Sequence, residues 1–451
     1  MTGTVVSGTG QGPRGWPVLG NLPAFARDPL GFFEDLRDRH GDWVPWALGP
    51  QRNLLVSRPE HVVELMGAVE DTFRPPELGW AFRHLLGEGV VLSTGADWRR
   101  KRALVQPAVR PRQVKAYAAT MIDCADAVAR GWRDGARIDV QKEMAALTQR
   151  IAVRTLFGTE TGGREEAIGG AMAVAQRELG AELRGVTVFL PPWVPTPGRR
   201  RMRAAVAQLD EEIARVIAAH RAAAAAGEER EDLLSRLLAA RDEQGLPLTE
   251  KELRDESITL YIGGHETTST TLTWTWQLLA RNPAARERLE EELAEVLGDR
   301  LPGHDDYARL PWTRQVVKEA LRLYPPIWLI TAIAGEGATL GGRPVPADTS
   351  VWCSQWSVHR DARWFPDPDA FRPERWTPGS EDQADERAWF PFGGGPRACL
   401  GARFAMVEAV LLLAVLARRF RIEPEVPVGR PFTGLTLVPR APVTARLRSL
   451  R

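Results

Sequence analysis

Ten residues near the C-terminus constrain this chain more than any other stretch: Phe392-Gly-Gly-Gly395-Pro-Arg397-Ala-Cys399-Leu-Gly401, with an apolar helical run from Ala402 to Phe420 behind them. A cysteine just ahead of a helix meets unpaired backbone N–H groups and the positive end of the helix dipole. Both lower a thiol pKa and favour the thiolate, the form that binds metal. The preceding glycines permit turns that a Cβ forbids and let the loop lie against a flat ligand. Arg397 adds a cation two residues from the sulfur, and Phe392 a ring to cover it. A lone thiolate with no second Cys or His nearby suits zinc poorly, because zinc takes four ligands. It suits haem iron, which accepts one axial ligand and keeps its other face open. A buried structural cysteine in a Gly-rich turn is the alternative.

The stretch resembles the cysteine-loop signature of the cytochrome P450 family, the haem-thiolate monooxygenases, at Phe392, Gly395, Arg397, Cys399 and Gly401. The resemblance implies a mainly α fold with small β-sheets. Haem b (iron protoporphyrin IX) would lie between a long distal helix and the cysteine-loop helix, with Cys399 as the iron ligand and Phe392, Arg397 and Gly401 around the cofactor.

The totals are compatible with this. The chain has 451 residues, 44% hydrophobic and 26% charged, which is ordinary globular composition. No Pro/Gly/Ser-rich linker or repeat divides it, so a single domain over residues 1–451 is expected. A net charge of +1 favours neither nucleic acid nor an anionic surface as partner. Cys124, Cys353 and Cys399 are too sparse for a disulfide framework and fit a reducing, cytoplasmic compartment. Met1 to Gly20 lacks an apolar run, so neither signal peptide nor membrane anchor is expected, as in the soluble bacterial members. The chain ends soon after the cysteine-loop helix, so no fused reductase is expected either.

Turn residues make Gly15 to Gly20 a loop. A helix (Leu30 to His40) and two strands (Trp43 to Leu48, Asn53 to Ser57) joined at Gly49-Pro50 follow. Phe73 to Gly89 reads as a loop; the resemblance implies that it covers the substrate, and an ordinary hydrophobic loop is the alternative. Asp97 is the expected cap of the helix carrying Trp98 and Arg102. These two share a face, where an indole N–H and a guanidinium can grip two carboxylates. They match the family's haem-binding W-x-x-x-R element. Helices are expected over Gln113 to Trp132, Gln141 to Phe157, Arg164 to Arg184 and Arg199 to Ala226. The prolines of Val186 to Gly198, a segment that includes Phe189 and Trp193, favour a stiff extended lid or a packed connector.

Thr249-Glu-Lys-Glu252 is a capping box that starts a helix ending before Asn282-Pro283. Inside it lies Gly263-Gly264-His265-Glu266-Thr267-Thr268, whose two glycines each cost the helix about 1 kcal/mol relative to Ala. Thr267 can turn its hydroxyl onto the Gly263 carbonyl and open the helix locally, leaving a groove with a carboxylate and a hydroxyl beside it. The motif matches the family's oxygen-activation sequence. Glu266 and Thr267 are therefore the expected proton-handling pair, Gly263 lies against the cofactor, and His265 is a helix residue, not an iron ligand. Glu319 and Arg322 match the family's E-x-x-R on the helix Trp312 to Tyr324, and Arg375 completes a structural charged triad. The arginine often found just after that helix is missing from Trp328-Leu-Ile-Thr331-Ala-Ile-Ala334. Propionate anchoring then rests on Trp98, Arg102 and Arg397, and His359 is expected to make a structural hydrogen bond. Strands are expected over Ile327 to Leu340, Arg343 to Val345 and Ser350 to Trp356.

By position, the resemblance puts Leu85, Val90, Tyr261 and Ile262 in the substrate pocket. Trp328, Leu329, Ile330, Phe432 and Leu435 join them. With no cluster of cations to hold a carboxylate, a terpenoid or polyketide-type metabolite is favoured over a fatty acid. The implied reaction inserts one atom of O2 into it, by hydroxylation or epoxidation. Electrons would come from NAD(P)H through a ferredoxin and its reductase; Arg99-Arg-Lys101 with Arg403 is either a basic docking patch for that partner or a solvated face. A peroxide-driven oxygenase and a non-catalytic haem sensor or carrier are the alternatives; the Glu266-Thr267 pair argues against the first and the apolar loops against the second.

Overall fold

Several helices in this protein start where short polar signals place them. The computed structural model describes residues 12–158, 165–184, 187, 190–379, 385–426 and 429–450, and its longest helix is Glu250–Arg281. The Thr249 hydroxyl accepts from the Glu252 N–H, and the Glu252 carboxylate accepts from the Thr249 N–H at 2.8 Å. Asp28, Asp139 and Asp232 cap Pro29–His40, Val140–Phe157 and Leu233–Ala239 through first-turn N–H groups. Among the described residues no helix is long and apolar enough to cross a membrane.

The chain forms two compact units. The first, Met1–Pro76 with Lys318–Cys399, is built on a five-stranded sheet. Its order is Trp43–Leu48, Gln51–Val56, Ser350–Cys353, Ile330–Ala334, Phe73–Arg74. Trp43 faces Val56 and Leu48 faces Gln51 across the first hairpin; only the Gln51–Val56 and Ser350–Cys353 pairing is parallel. Leu54 and Val56 join a core with Val62, Leu65 and Phe365. Leu55 joins a second core with Phe32, Phe33 and Trp46, as the two-residue period of a strand requires.

The second unit, Glu77–Val317 with Leu400–Arg451, is mostly helical. Helix Glu250–Arg281 packs against Val140–Phe157 and Ala402–Ala417, and the latter also packs against Pro111–Gly131. Ala402–Ala417 is buried without interruption from Val407 to Ala417, as a helix apolar all round must be. Glu165–Arg184 lies against Pro197–Ala225. A three-stranded sheet and the hairpin Phe432–Thr433/Leu437–Val438 complete the unit.

Four expectations need correction. Within the Phe73 to Gly89 loop, Trp80–Leu86 is a short helix, framed by Gly79 and by Gly87 at φ +63°. The strand after the E-x-x-R helix is only Ile330–Ala334, with Thr339–Leu340 as a separate piece. Ser350–Cys353 gives way to the helical turn Gln355–Val358, because the Ser354 hydroxyl caps the Ser357 N–H. The C-terminal apolar helix stops at Ala417, and Phe420 already belongs to a strand.

The proline-rich connector is not an extended lid over its described residues. It folds in tight turns, Val194 N–H onto Pro191 O and Thr196 N–H onto Val194 O. Arg199, 2% exposed, gathers the carbonyls of Thr187, Leu190, Pro191 and Val194 while pairing with Glu182 at 2.5 Å. Its guanidinium also lies 5.4 Å from the Trp80 ring centre. Phe189 and residues 159–164, where the expected Arg164 helix start falls, lie outside the described residues.

Candidate active site

The cysteine loop takes its shape from what lies under its glycines. Gly395 has φ +62°, and a Cβ there would stand 2.1 Å from the Met66 carbonyl oxygen. Only glycine meets both the left-handed backbone and that approach. The Cys399 N–H closes the loop onto the Phe392 carbonyl at 2.9 Å, and Cys399 is exposed. His359, fully buried, accepts from the Phe390 N–H through Nε2 at 3.1 Å. Burial, with the Arg322 charge, holds its pKa well below the usual histidine value, so it is a neutral structural acceptor. Gly401 precedes the helix Ala402–Ala417 and accepts from the Ala405 N–H.

Arg397, the cation two residues from Cys399, is itself paired. Glu70, at φ +80°, takes its Nε at 2.7 Å and Nη2 at 2.5 Å, so its charge is shared with a carboxylate. Gly395→Ala should leave secondary structure intact but displace the loop from Met66. The expected readout is haem content, falling to a small fraction of wild type at unchanged circular dichroism; normal loading would show that the loop tolerates a Cβ.

Beneath the loop, Glu319, Arg322 and Arg375 are 0% exposed. Glu319 Oε1 accepts from Arg322 Nη2 at 2.8 Å, Arg375 Nε at 3.0 Å and the Arg372 N–H at 3.1 Å. Its Oε2 accepts from Arg322 Nε and Trp376 Nε1, both at 3.0 Å. Arg322 also reaches the carbonyls of His359, Pro368 and Ala370. A carboxylate so fully engaged is a fastener for the chain and not an acid for substrate.

In the second unit Trp98 is 5% exposed, and the Arg102 guanidinium stands 5.7 Å from its ring centre, on one face as the spacing required. Asp97 is not the cap: the helix runs Gly95–Val105 behind Thr94, and Asp97 in its first turn takes Lys101 Nζ at 2.6 Å. Lys101 is buried and also bonds the Glu88 carbonyl, and Arg100 pairs with Asp242 and Glu252. The expected basic docking patch is therefore broken up, because two of its cations are spent on ion pairs inside the unit. Arg403 lies 4.6 Å from the Tyr307 ring centre.

Thr267 Oγ1 donates to the Gly263 carbonyl at 2.7 Å. The helix nevertheless runs unbroken through both residues, so the room comes from the missing side chains and not from a local opening. A Cβ on Gly263 or Gly264 would meet nothing within 4 Å. His265 is buried on the Tyr261 ring, and burial pushes its pKa down to about 4. Glu266 turns toward Gln176 on helix Glu165–Arg184, whose Nε2 donates to Oε2 at 3.1 Å, and toward Thr436, whose hydroxyl donates to Oε1 at 2.8 Å. Burial raises its pKa and the Thr436 bond lowers it.

Neither Gln176 nor Thr436 lies in a motif, and nothing in the sequence marks them. Glu408 carries a signal in the sequence alone, an acid within an apolar helix. It is the one acidic residue of the apolar helix Ala402–Ala417, buried, and pushed up to about 8 by that burial.

The candidate pocket residues fall in both units. Leu85, Val90 and Tyr261 are buried, and Ile262, Phe432 and Leu435 half-buried, in the second. In the first, Trp328 and Leu329 pack onto the Phe33 core and Ile330 onto the Phe365 core.

A model of the family described as Cytochrome P450 matches residues 11–445. Among curated proteins the chain is 38% identical to cyclooctatin synthase of Streptomyces melanosporofaciens, over 97% of this chain and 94% of that one. It is 35% identical to cyclooctat-9-en-7-ol 5-monooxygenase of the same organism, over 92% and 90%. It is also 35% identical to pentalenene oxygenase of Streptomyces avermitilis, over 94% of each.

Proposed function

The chain belongs to the cytochrome P450 family, and on that premise we propose that it is a haem-dependent monooxygenase placing one oxygen atom from O2 into an apolar terpenoid, by hydroxylation or epoxidation. The observation that carries the reading is the Thr267–Gly263 hydrogen bond beside open space, with the Glu266 carboxyl next to it in the helix. A peroxide-driven enzyme or a carrier has no use for a hydroxyl and a carboxyl so placed.

The donor set suits haem. Cys399 is one exposed thiol on a glycine loop, and among the described residues no group of three or more His, Cys, Asp or Glu could hold a bare ion. Such a set fits an iron that brings its own four nitrogens and asks the protein for one axial ligand. In this proposal Cys399 would be that ligand. Trp98 and Arg102 would take the cofactor's carboxylates, with Arg397 contributing what charge Glu70 leaves it. Phe392, Gly401 and Gly263 would be the residues that leave room for the macrocycle. When bound, haem with a thiolate ligand supplies oxygen activation and favours O–O cleavage. Thr267 would offer a hydroxyl that both donates and accepts, and Glu266 would carry protons toward that hydroxyl.

The terpenoid class is supported by apolar candidate residues such as Leu85, Ile262 and Leu435, and by relatives named for cyclooctat-9-en-7-ol and pentalenene. Electrons come from NAD(P)H through a redox partner, which we propose to be a ferredoxin with its reductase in the cytoplasm.

Titrating the ferric holoenzyme with cyclic terpenes while following the Soret band tests the substrate class. A shift with at least one of them, followed by its oxidised product, is expected; a protein that binds none and turns none over is not this enzyme. Glu266→Gln and Thr267→Ala should each lower product formed per NAD(P)H by about tenfold or more, the scale of a lost proton-transfer group. Unchanged coupling in both would remove the relay.

A further inference from the structure

We propose that the tip of the hairpin Phe432–Thr433/Leu437–Val438 is a substrate sensor for proton delivery. Thr436 and Gln176 are positioning residues that hold the Glu266 carboxyl, and a ligand pressing on Leu435 alters that hold. The inference rests on the reading of Glu266 as the proton-carrying group and of Leu435 as a substrate-pocket residue.

The geometry couples tip and carboxyl directly. Thr436 Oγ1 donates to Oε1 at 2.8 Å and Gln176 Nε2 to Oε2 at 3.1 Å, so both carboxyl oxygens are engaged by neutral donors. Each bond links Glu266 to a different element, the hairpin and the helix Glu165–Arg184. A second pin lies about two turns further along the long helix, where Trp274 Nε1 donates to the Leu437 carbonyl at 2.7 Å. The tip between these pins is tight. The Gly434 N–H meets the carbonyls of Phe432 and Thr436, both at 3.2 Å, and a Cβ on Gly434 would come within 3.3 Å of the Thr436 oxygen. Leu435 is half-buried while Thr436 beside it is 2% exposed. A push on the leucine is therefore transmitted, through one peptide unit, to the hydroxyl that grips Glu266.

The chemistry of the grip matters. An arginine partner would keep Glu266 ionised, whereas two neutral donors leave it able to change protonation state. Burial raises its pKa and Thr436 opposes that. Of the acids on packed elements, Glu178 pairs with Arg201, and Glu408 is pushed up to about 8 by burial. His265, next along the helix, is held neutral by burial. Loosening the Thr436 bond thus raises the proton affinity of Glu266 and frees an oxygen to turn toward Thr267.

Infrared titration of the holoenzyme tests this, with the protonated-carboxyl band of Glu266 identified by its disappearance in Glu266→Gln. Thr436→Val should raise the pH at which that band is lost by about one to two units, the worth of a hydrogen bond to a charged group. Thr436→Ser should restore it, and Leu435→Trp, which adds bulk at the tip, should shift it the same way as the valine. Gln176→Leu, acting on the other oxygen, repeats the test if the valine variant loads haem poorly. A Glu266 titration unmoved by Thr436→Val and Gln176→Leu, or moved by them but not by Leu435→Trp, overturns the proposal. If Glu266→Gln still uncouples turnover, the relay survives that failure. If it does not, or if it removes no band, the relay fails as well.

Discussion

Serine at position 399 yields a folded protein with no oxygenase activity. Cys399 is exposed, and its backbone bond to Phe392 does not use the sulfur, so the substitution disturbs little packing and far-ultraviolet circular dichroism should match wild type. What it removes is a thiolate. A serine hydroxyl does not ionise near neutral pH and cannot supply the electron density that favours O–O cleavage. We expect haem content to fall, the reduced carbon-monoxide complex to lose the thiolate-type absorption band, and product from any terpene to drop below detection. A Cys399→Ser protein that kept the wild-type carbon-monoxide spectrum would place the iron ligand elsewhere.

Alanine at position 319 acts through folding instead. Two guanidinium groups, Arg322 and Arg375, would stay fully buried with their shared carboxylate gone, and the Arg372 N–H and Trp376 Nε1 would lose their acceptor too. Removing one member of a buried pair costs about 3–5 kcal/mol, against a total stability of about 5–15 kcal/mol for a typical protein. Glu319→Ala should therefore give mostly insoluble or haem-free protein. Soluble yield and haem per chain are the measurements. A well-loaded variant that failed only in turnover would mean that Glu319 takes part in chemistry.

The difference between these two residues explains what could be read in advance. Cys399, Thr267 and the Glu319–Arg322 pair sit in short motifs whose chemistry is local: a loop and a helix start, one helical turn, two residues on one face. Thr249 and Pro283 mark the ends of the long helix for the same reason. Residues whose meaning comes from distant partners could not be read so. Nothing near Glu70 foretells Arg397, and nothing near Thr436 foretells Glu266, because those contacts exist only once remote segments have packed. The basic run at Arg99 to Lys101 misled for the mirror-image reason. Arg100 looked available until Asp242 and Glu252 arrived from elsewhere in the chain, although the partner of Lys101, Asp97, lies only one turn away. Short helices also escaped, Trp80–Leu86 and Gln355–Val358 among them, since a turn or two of helix shows too few residues for a period to declare itself.

Arg199 has a consequence for anyone who would exchange parts between this protein and its relatives. Four carbonyls of the connector converge on that single guanidinium, with Glu182 as its counter-charge. The segment is thus inherited as a package with one keystone: a transplant that carried the prolines but left out residues 182 and 199 would deliver a chain with the right letters and no shape of its own.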